Sequence, residues 1–226
     1  MSKPIIDDFE NALFELELTF QSGPNDFFFT EKELHSYFYH LCMKSDLLYG
    51  DYNLVHTEYP TPFKCKTTKS DPFIKKAHAN SKNQRAHIDL VLMNPNYIDC
   101  TLSHQLTKKH QYLTGVGDQL FSNYIMDFYT FYQKFSESYH ESVLLYAIEF
   151  KFHRHNYSGI KYPIRNLIQD INKLNMLREF EISKGIPFCD KIKSLVFVGD
   201  RISASSRNGI ENIAREYPDI CSVIIK

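Results

Sequence analysis

Along this chain the apolar positions change period several times, and each change marks an element. Ile6, Phe9, Leu13, Leu16 and Phe20 recur at steps of three and four, which predicts an amphipathic helix ended by the QSGPND segment at 21–26. A second helix is predicted from Thr30, whose hydroxyl can cap it while Glu33 completes a capping box; Leu34, Phe38 and Leu41 form its apolar face. The period then falls to two. NLVHTEYP at 53–60 predicts a strand bounded by Pro60 and Pro62, and the apolar runs RAHIDLVLMNP at 85–95 and LLYAIEFKF at 144–152 predict two buried strands. Helical spacing returns in Ile164, Leu167, Ile168, Ile171, Leu174 and Leu177, a helix predicted to close at Gly185. The final segments, IKSLVFVGD, SSRNGIENIAREYPD and CSVIIK, read strand, helix, strand, and such a run implies a parallel crossover. The fold class expected is therefore α/β, a central mixed sheet flanked by helices.

Between the two buried strands, residues 96–142 form a predicted helical insertion. Leu120, Tyr124, Ile125, Phe128, Phe131, Tyr132 and Phe135 recur there at helical spacing, so at least one long helix is expected. Core packing is the default for such an aromatic stripe; a homodimer interface or a hold on nucleic acid are the other uses open to it. At 226 residues with 43% hydrophobic content, the chain suits one domain spanning 1–226 that carries this insertion. GVGD at 115–118 lacks the preceding strand, the further glycine and the lysine of a phosphate loop.

Three charges stand inside the apolar runs. Alternation puts Glu149 and Lys151 on one face of their strand and Ile148, Phe150 and Phe152 on the other. If the two buried strands are neighbours, Asp89 joins them, and two carboxylates with an ammonium beside them suit a hard divalent cation. The plain alternative is the solvated face of an ordinary strand.

A formal net charge of −1 gives no global nucleic-acid signature, but it conceals a basic stretch at 64–85. This stretch reads as a loop or irregular hairpin in which Lys75, Lys76, Lys82 and Arg85 are the candidates for contacting phosphates. An ordinary solvated lysine loop is the competing account. Five cysteines, odd in number and without a C-x-x-C pair, argue against a disulfide framework or a zinc site, and a reducing cytoplasm is expected. The first residues lack a secretory pattern, and no run of eighteen apolar residues predicts a membrane span.

On Asp89, Glu149, Lys151 and their apolar flanks, the chain resembles the PD-(D/E)xK nuclease superfamily, with its restriction-endonuclease-like fold. The order helix, three strands, helix, strand, helix, strand agrees with that core once the insertion between the two catalytic strands is allowed, although His87-Ile88 stand where the literal motif has a proline. The resemblance implies that Asp89 and Glu149 bind Mg2+, with Mn2+ as a substitute, that the backbone carbonyl of Phe150 adds a ligand, and that Lys151 orients or activates water. It also implies a further acid from the helix before the strands. Glu31 is favoured because Glu33 has the capping role, while acids at a helix start also suit its positive end without any catalytic part.

Gln169, Asp170 and Lys173 match the place where resembling families carry a polar residue that touches the lysine or the substrate. His56 or Glu58 can face the site from the side, and His153, Arg154 and His155 can meet phosphate or simply be exposed. The activity implied is that of a Mg2+-dependent endodeoxyribonuclease hydrolysing DNA phosphodiester bonds. The alternative is a catalytically inactive nuclease-like binding or interaction module, motivated by the aromatic insertion.

Overall fold

The computed structural model describes residues 2–24, 27–28, 30–51, 53–66, 74–77, 85–100, 125–154, 161–183 and 185–226. Helices α1 (Ser2–Ser22) and α2 (Glu31–Cys42) precede strands β1 (Val55–Lys66), β2 (Ile74–Ala77) and β3 (Arg85–Met93). Helix α3 (Ile125–Tyr139) leads into β4 (Leu144–His153) and α4 (Lys161–Arg178). A short hairpin of β5 (Glu181–Ser183) and β6 (Ile186–Pro187) follows, then β7 (Cys189–Val198), α5 (Ala204–Glu216) and β8 (Cys221–Ile225).

Six strands form one mixed sheet in the order β2-β1-β3-β4-β7-β8. The strands joined as β2, β1, β3 and β4 are antiparallel to their neighbours, whereas β4, β7 and β8 run parallel. Each parallel step spans a helix, α4 or α5, as a crossover requires. The protein is thus α/β with an open mixed sheet flanked by helices.

The aromatic residues of β4 show which face each helix covers. Phe9 of α1 meets Phe38 of α2 and Tyr146, while Phe20 meets Phe152 and Phe197, and Phe38 meets Phe150. Tyr146, Phe150 and Phe152 alternate with Glu149 and Lys151, so α1 and α2 lie on the apolar face and the charged pair turns to the other. There α4 buries Leu167, Ile171, Leu174 and Leu177. Each fully buried Phe or Leu of this core stabilises the fold by about 1.5–3 kcal/mol through the area it removes from water.

Two boundaries differ from those the pattern predicts. β1 continues through Pro60 and Pro62 to Lys66, because its pairing with β3 shifts register between Pro60 and Lys64, where a missing amide costs no ladder bond. Helix α4 ends at Arg178, short of Gly185; Phe180 turns into the core, and the β5–β6 hairpin places Gly185 at its turn with φ 79°. The basic stretch contains strand β2, paired antiparallel with β1 at the sheet edge. Of the predicted insertion, a helical segment at 95–100 and α3 are described, and Leu120 and Tyr124 lie outside the described residues. Tyr132 and Phe135 are buried against Tyr97, and Tyr132 also meets Phe188, so this part of the stripe packs on the core.

The capping box forms: the Glu33 amide donates to Thr30 Oγ1 at 3.2 Å, and the Thr30 amide donates to Glu33 Oε2 at 2.7 Å. Thr30→Ala removes the first of these bonds, and chemical denaturation should show a loss of about 1 kcal/mol. A loss below the error of the measurement would show that the cap is not what starts α2.

Candidate active site

Strands β3 and β4 part company within the sheet. Their paired residues run from Met93↔Leu144 to Leu90↔Ile148, and among the described residues no pairing continues beyond, although β3 extends back to Arg85 and β4 forward to His153. At such a fork, backbone groups that a neighbouring strand would satisfy need other partners. Side chains supply them. Asp89 Oδ2 accepts from the Phe150 amide at 2.8 Å, and Glu31 Oε2 accepts from the Phe152 amide at 3.2 Å. Lys151 Nζ donates to the Phe150 carbonyl at 2.9 Å, and Lys173 Nζ donates to the His87 carbonyl at 2.7 Å.

The same side chains pair with one another. Lys151 Nζ lies 3.1 Å from Asp170 Oδ2 and 3.4 Å from Glu31 Oε1. Lys173 Nζ lies 2.5 Å from Glu149 Oε1 and 3.5 Å from Asp170 Oδ1. Three carboxylates, Glu31, Glu149 and Asp170, thus pair with two ammonium groups, and Asp170 is shared between them. Glu149 is 1% exposed, so this is not a solvated strand face.

The electrostatics follow from burial and from these partners. Burial pushes the Glu149 carboxyl well above the usual carboxylate range, against the pull of the Lys173 ammonium. Burial likewise raises Glu31, opposed by Lys151. For the lysines burial acts to lower the pKa, but the surrounding carboxylates win: Asp170 and Glu31 hold Lys151 above the ordinary lysine range, and Glu149 and Asp170 do the same for Lys173.

Glu31, Asp89, Glu149 and Lys151 are thus brought to one site. A group that could hold a metal ion takes only Glu31 and Asp89 from that set and adds His35. Glu31, His35 and Asp89 each offer one ligand atom, and these atoms lie within 4.8 Å of one another. Two carboxylates and an imidazole fit an ion that keeps part of its water shell. Glu149 lies outside this group and pairs with Lys173 instead. The Phe150 carbonyl is engaged by Lys151.

Asp170 and Lys173 enter from α4 because they lie three positions apart on the helix face turned to β4. His35 is the residue that the sequence pattern missed; its signal is its position four after Glu31 on a capped helix, one turn along the same face.

The remaining candidates lie apart. His56 pairs across from Val91 rather than Asp89, and burial lowers its pKa; Glu58 is exposed with φ 52°, a left-handed backbone in the position across from Asp89. His153 is buried, and burial followed by the charge of Lys151 brings its pKa down to about 4, so it is neutral near pH 7. Lys75 and Lys76 lie on the edge strand β2, and Arg85 opens β3 four residues before Asp89, about 13 Å along the strand. Lys82 and His155 lie outside the described residues. No helix among the described residues is long and apolar enough to cross a membrane.

No protein-family model matches this chain, and neither the curated proteins nor the solved structures yield a significant match to it.

Lys173→Met removes the ammonium that faces Glu149 and leaves a buried carboxylate beside Asp89 and Asp170. Urea denaturation should show a loss of about 3–5 kcal/mol, and the double variant Lys173→Met/Glu149→Met should recover more than half of it. Equal losses in the single and double variants would show that the pair is not what holds β4 to α4.

Proposed function

We propose that this protein is a divalent-cation-dependent nuclease that hydrolyses DNA phosphodiester bonds, with its site at the fork between β3 and β4. The observation that carries the proposal is the convergence of Glu31, His35 and Asp89 within 4.8 Å, with Lys151 in contact with Glu31. The resemblance of Asp89 and Glu149-Phe150-Lys151 to the PD-(D/E)xK motif supports it. So does the strand plan, in which three antiparallel neighbours, β1, β3 and β4, are followed by two parallel ones with α2 ahead of them, as in a restriction-endonuclease-like fold.

In this reading Glu31 and Asp89 hold the cation, magnesium or manganese. A bound divalent ion would supply a water of lowered pKa and offset charge on the reacting phosphate. The rest of the work falls to the chain's own groups. Lys151 keeps its charge under the influence of Asp170 and Glu31, so its ammonium is a fixed donor for an attacking water or a phosphate oxygen. Glu149 is assigned here a positioning role: it fixes Lys173, which in turn grips the carbonyl of His87 two residues before Asp89. That ties β3, β4 and α4 together around the fork. Lys75, Lys76 and Arg85 are proposed to meet the phosphate backbone without reading sequence.

The test is cleavage of supercoiled, linear, single-stranded and branched DNA, with RNA alongside, in magnesium, in manganese and in EDTA. Cutting should require the metal and yield 5′-phosphate and 3′-hydroxyl ends. Lys151→Ala, and Asp89→Asn, whose amide oxygen can still accept from the Phe150 amide, should each lower the rate by about a hundredfold or more while keeping the native circular dichroism spectrum. Absence of cutting by the unaltered chain under every condition, or undiminished cutting by both variants, would falsify the assignment.

A further inference from the structure

We propose that His35 is a third protein ligand to the cation, and that through it the site selects a nitrogen-accepting ion of the manganese type over magnesium. This rests on the cation site of the proposed function and specifies which ion that site takes.

Three observations on one side chain carry it. His35 lies one helical turn after Glu31, on the half-buried side of α2 that turns towards the fork. Its Nε2 is 3.8 Å from Asp89 Oδ2, too long for a hydrogen bond. The separation is less than twice a metal–ligand bond of about 2.1 Å, so one ion can reach both atoms. That Nε2 is also buried from solvent and has no hydrogen-bond partner among the described residues. A buried polar atom of this kind costs about 1–3 kcal/mol unless something occupies its lone pair or takes its proton.

The ring is held as a ligand would be. Its centroid lies 4.9 Å from that of Phe150, the residue whose amide binds Asp89, so one β4 residue packs against the imidazole and orients the carboxylate. An ion pair between His35 and Asp89 is the simpler account, but it would draw Nε2 to hydrogen-bonding distance. The gap between these atoms is what an ion would fill.

The chemistry of the donors then decides the ion. Magnesium prefers oxygen and gives up its waters reluctantly, so an imidazole adds little to its affinity. Manganese accepts nitrogen more readily, and cobalt and nickel more so along the usual order of divalent affinities. A site of two carboxylates and one imidazole should therefore bind Mn2+ more tightly than Mg2+, whichever ion a cleavage assay uses.

The experiment is titration of the full chain with MnCl2 and with MgCl2, without nucleic acid, followed by pulsed electron paramagnetic resonance of the Mn2+-loaded protein. Manganese should bind about tenfold tighter than magnesium or better, and its spectrum should carry a nitrogen coupling. His35→Gln should lose the coupling and most of the manganese advantage while magnesium affinity changes little. Should that variant not fold, His35→Asp, which makes the site all-oxygen, should likewise lose the nitrogen coupling and the advantage of Mn2+ over Mg2+, its added charge tightening both ions alike. Equal affinities for the two ions in the unaltered chain, or a spectrum without nitrogen coupling, overturns the proposal. The two readings also fail separately. Nitrogen-coupled manganese in a chain that cuts no substrate sinks the nuclease alone, and metal-dependent cutting without the coupling sinks the role of His35 alone.

Discussion

The bond from the Phe150 amide to the Asp89 carboxylate is the constraint on which the rest of this structure depends. β3 and β4 pair for a few residues and then separate, and a strand that loses its neighbour leaves amides and carbonyls without partners. Asp89 takes the first free amide and Glu31 takes the next on the same edge, at Phe152. By holding the fork open, these two carboxylates end up side by side at the end of a capped helix. Lys151 and Lys173 cover carbonyls at the same place. The charged site and the irregularity of the sheet are thus one feature, because Glu31, Asp89, Lys151 and Lys173 each replace part of a missing ladder.

Burial makes the charges interdependent. Burial drives the Glu149 carboxyl upward more strongly than the Lys173 ammonium pulls it down, while Glu149 and Asp170 together hold Lys173 above the ordinary lysine range. Lys151 is held in the same manner between Asp170 and Glu31. Glu31 and Asp89 come together beside His35, whereas Glu149 pairs with Lys173. A cation arriving there would meet carboxylates already fixed by backbone amides, so little ordering would be needed on binding.

Much of this was legible in the amino-acid sequence, for reasons that can be traced to particular residues. Strand alternation is strict, so Glu149 and Lys151 had to share a face, and the apolar flanks of Asp89 required its strand to be buried. The capping arithmetic of Thr30 and Glu33 left Glu31 as the acid free to reach the sheet. Helix periodicity located α1, α2 and α4, but Gly185 was misread as a helix end because a glycine with positive φ serves hairpin turns equally well. The engagement of Glu149 by Lys173 could not be read from local pattern, since it depends on where α4 crosses β4. His35 was hidden for a different reason: a histidine on the flank of an amphipathic helix has no distinctive spacing until its neighbour across the fork, Asp89, is known.

The most direct measurement of the central claim is diffraction at the manganese absorption edge from crystals of the chain grown with Mn2+. One strong anomalous peak within about 2.5 Å of carboxylate oxygens of both Glu31 and Asp89, with β3 and β4 still parted around it, is the result expected of a metal centre built into the fork. A saturated crystal with no peak there, or with Glu31 and Asp89 bonded only to the amides of β4, would contradict it.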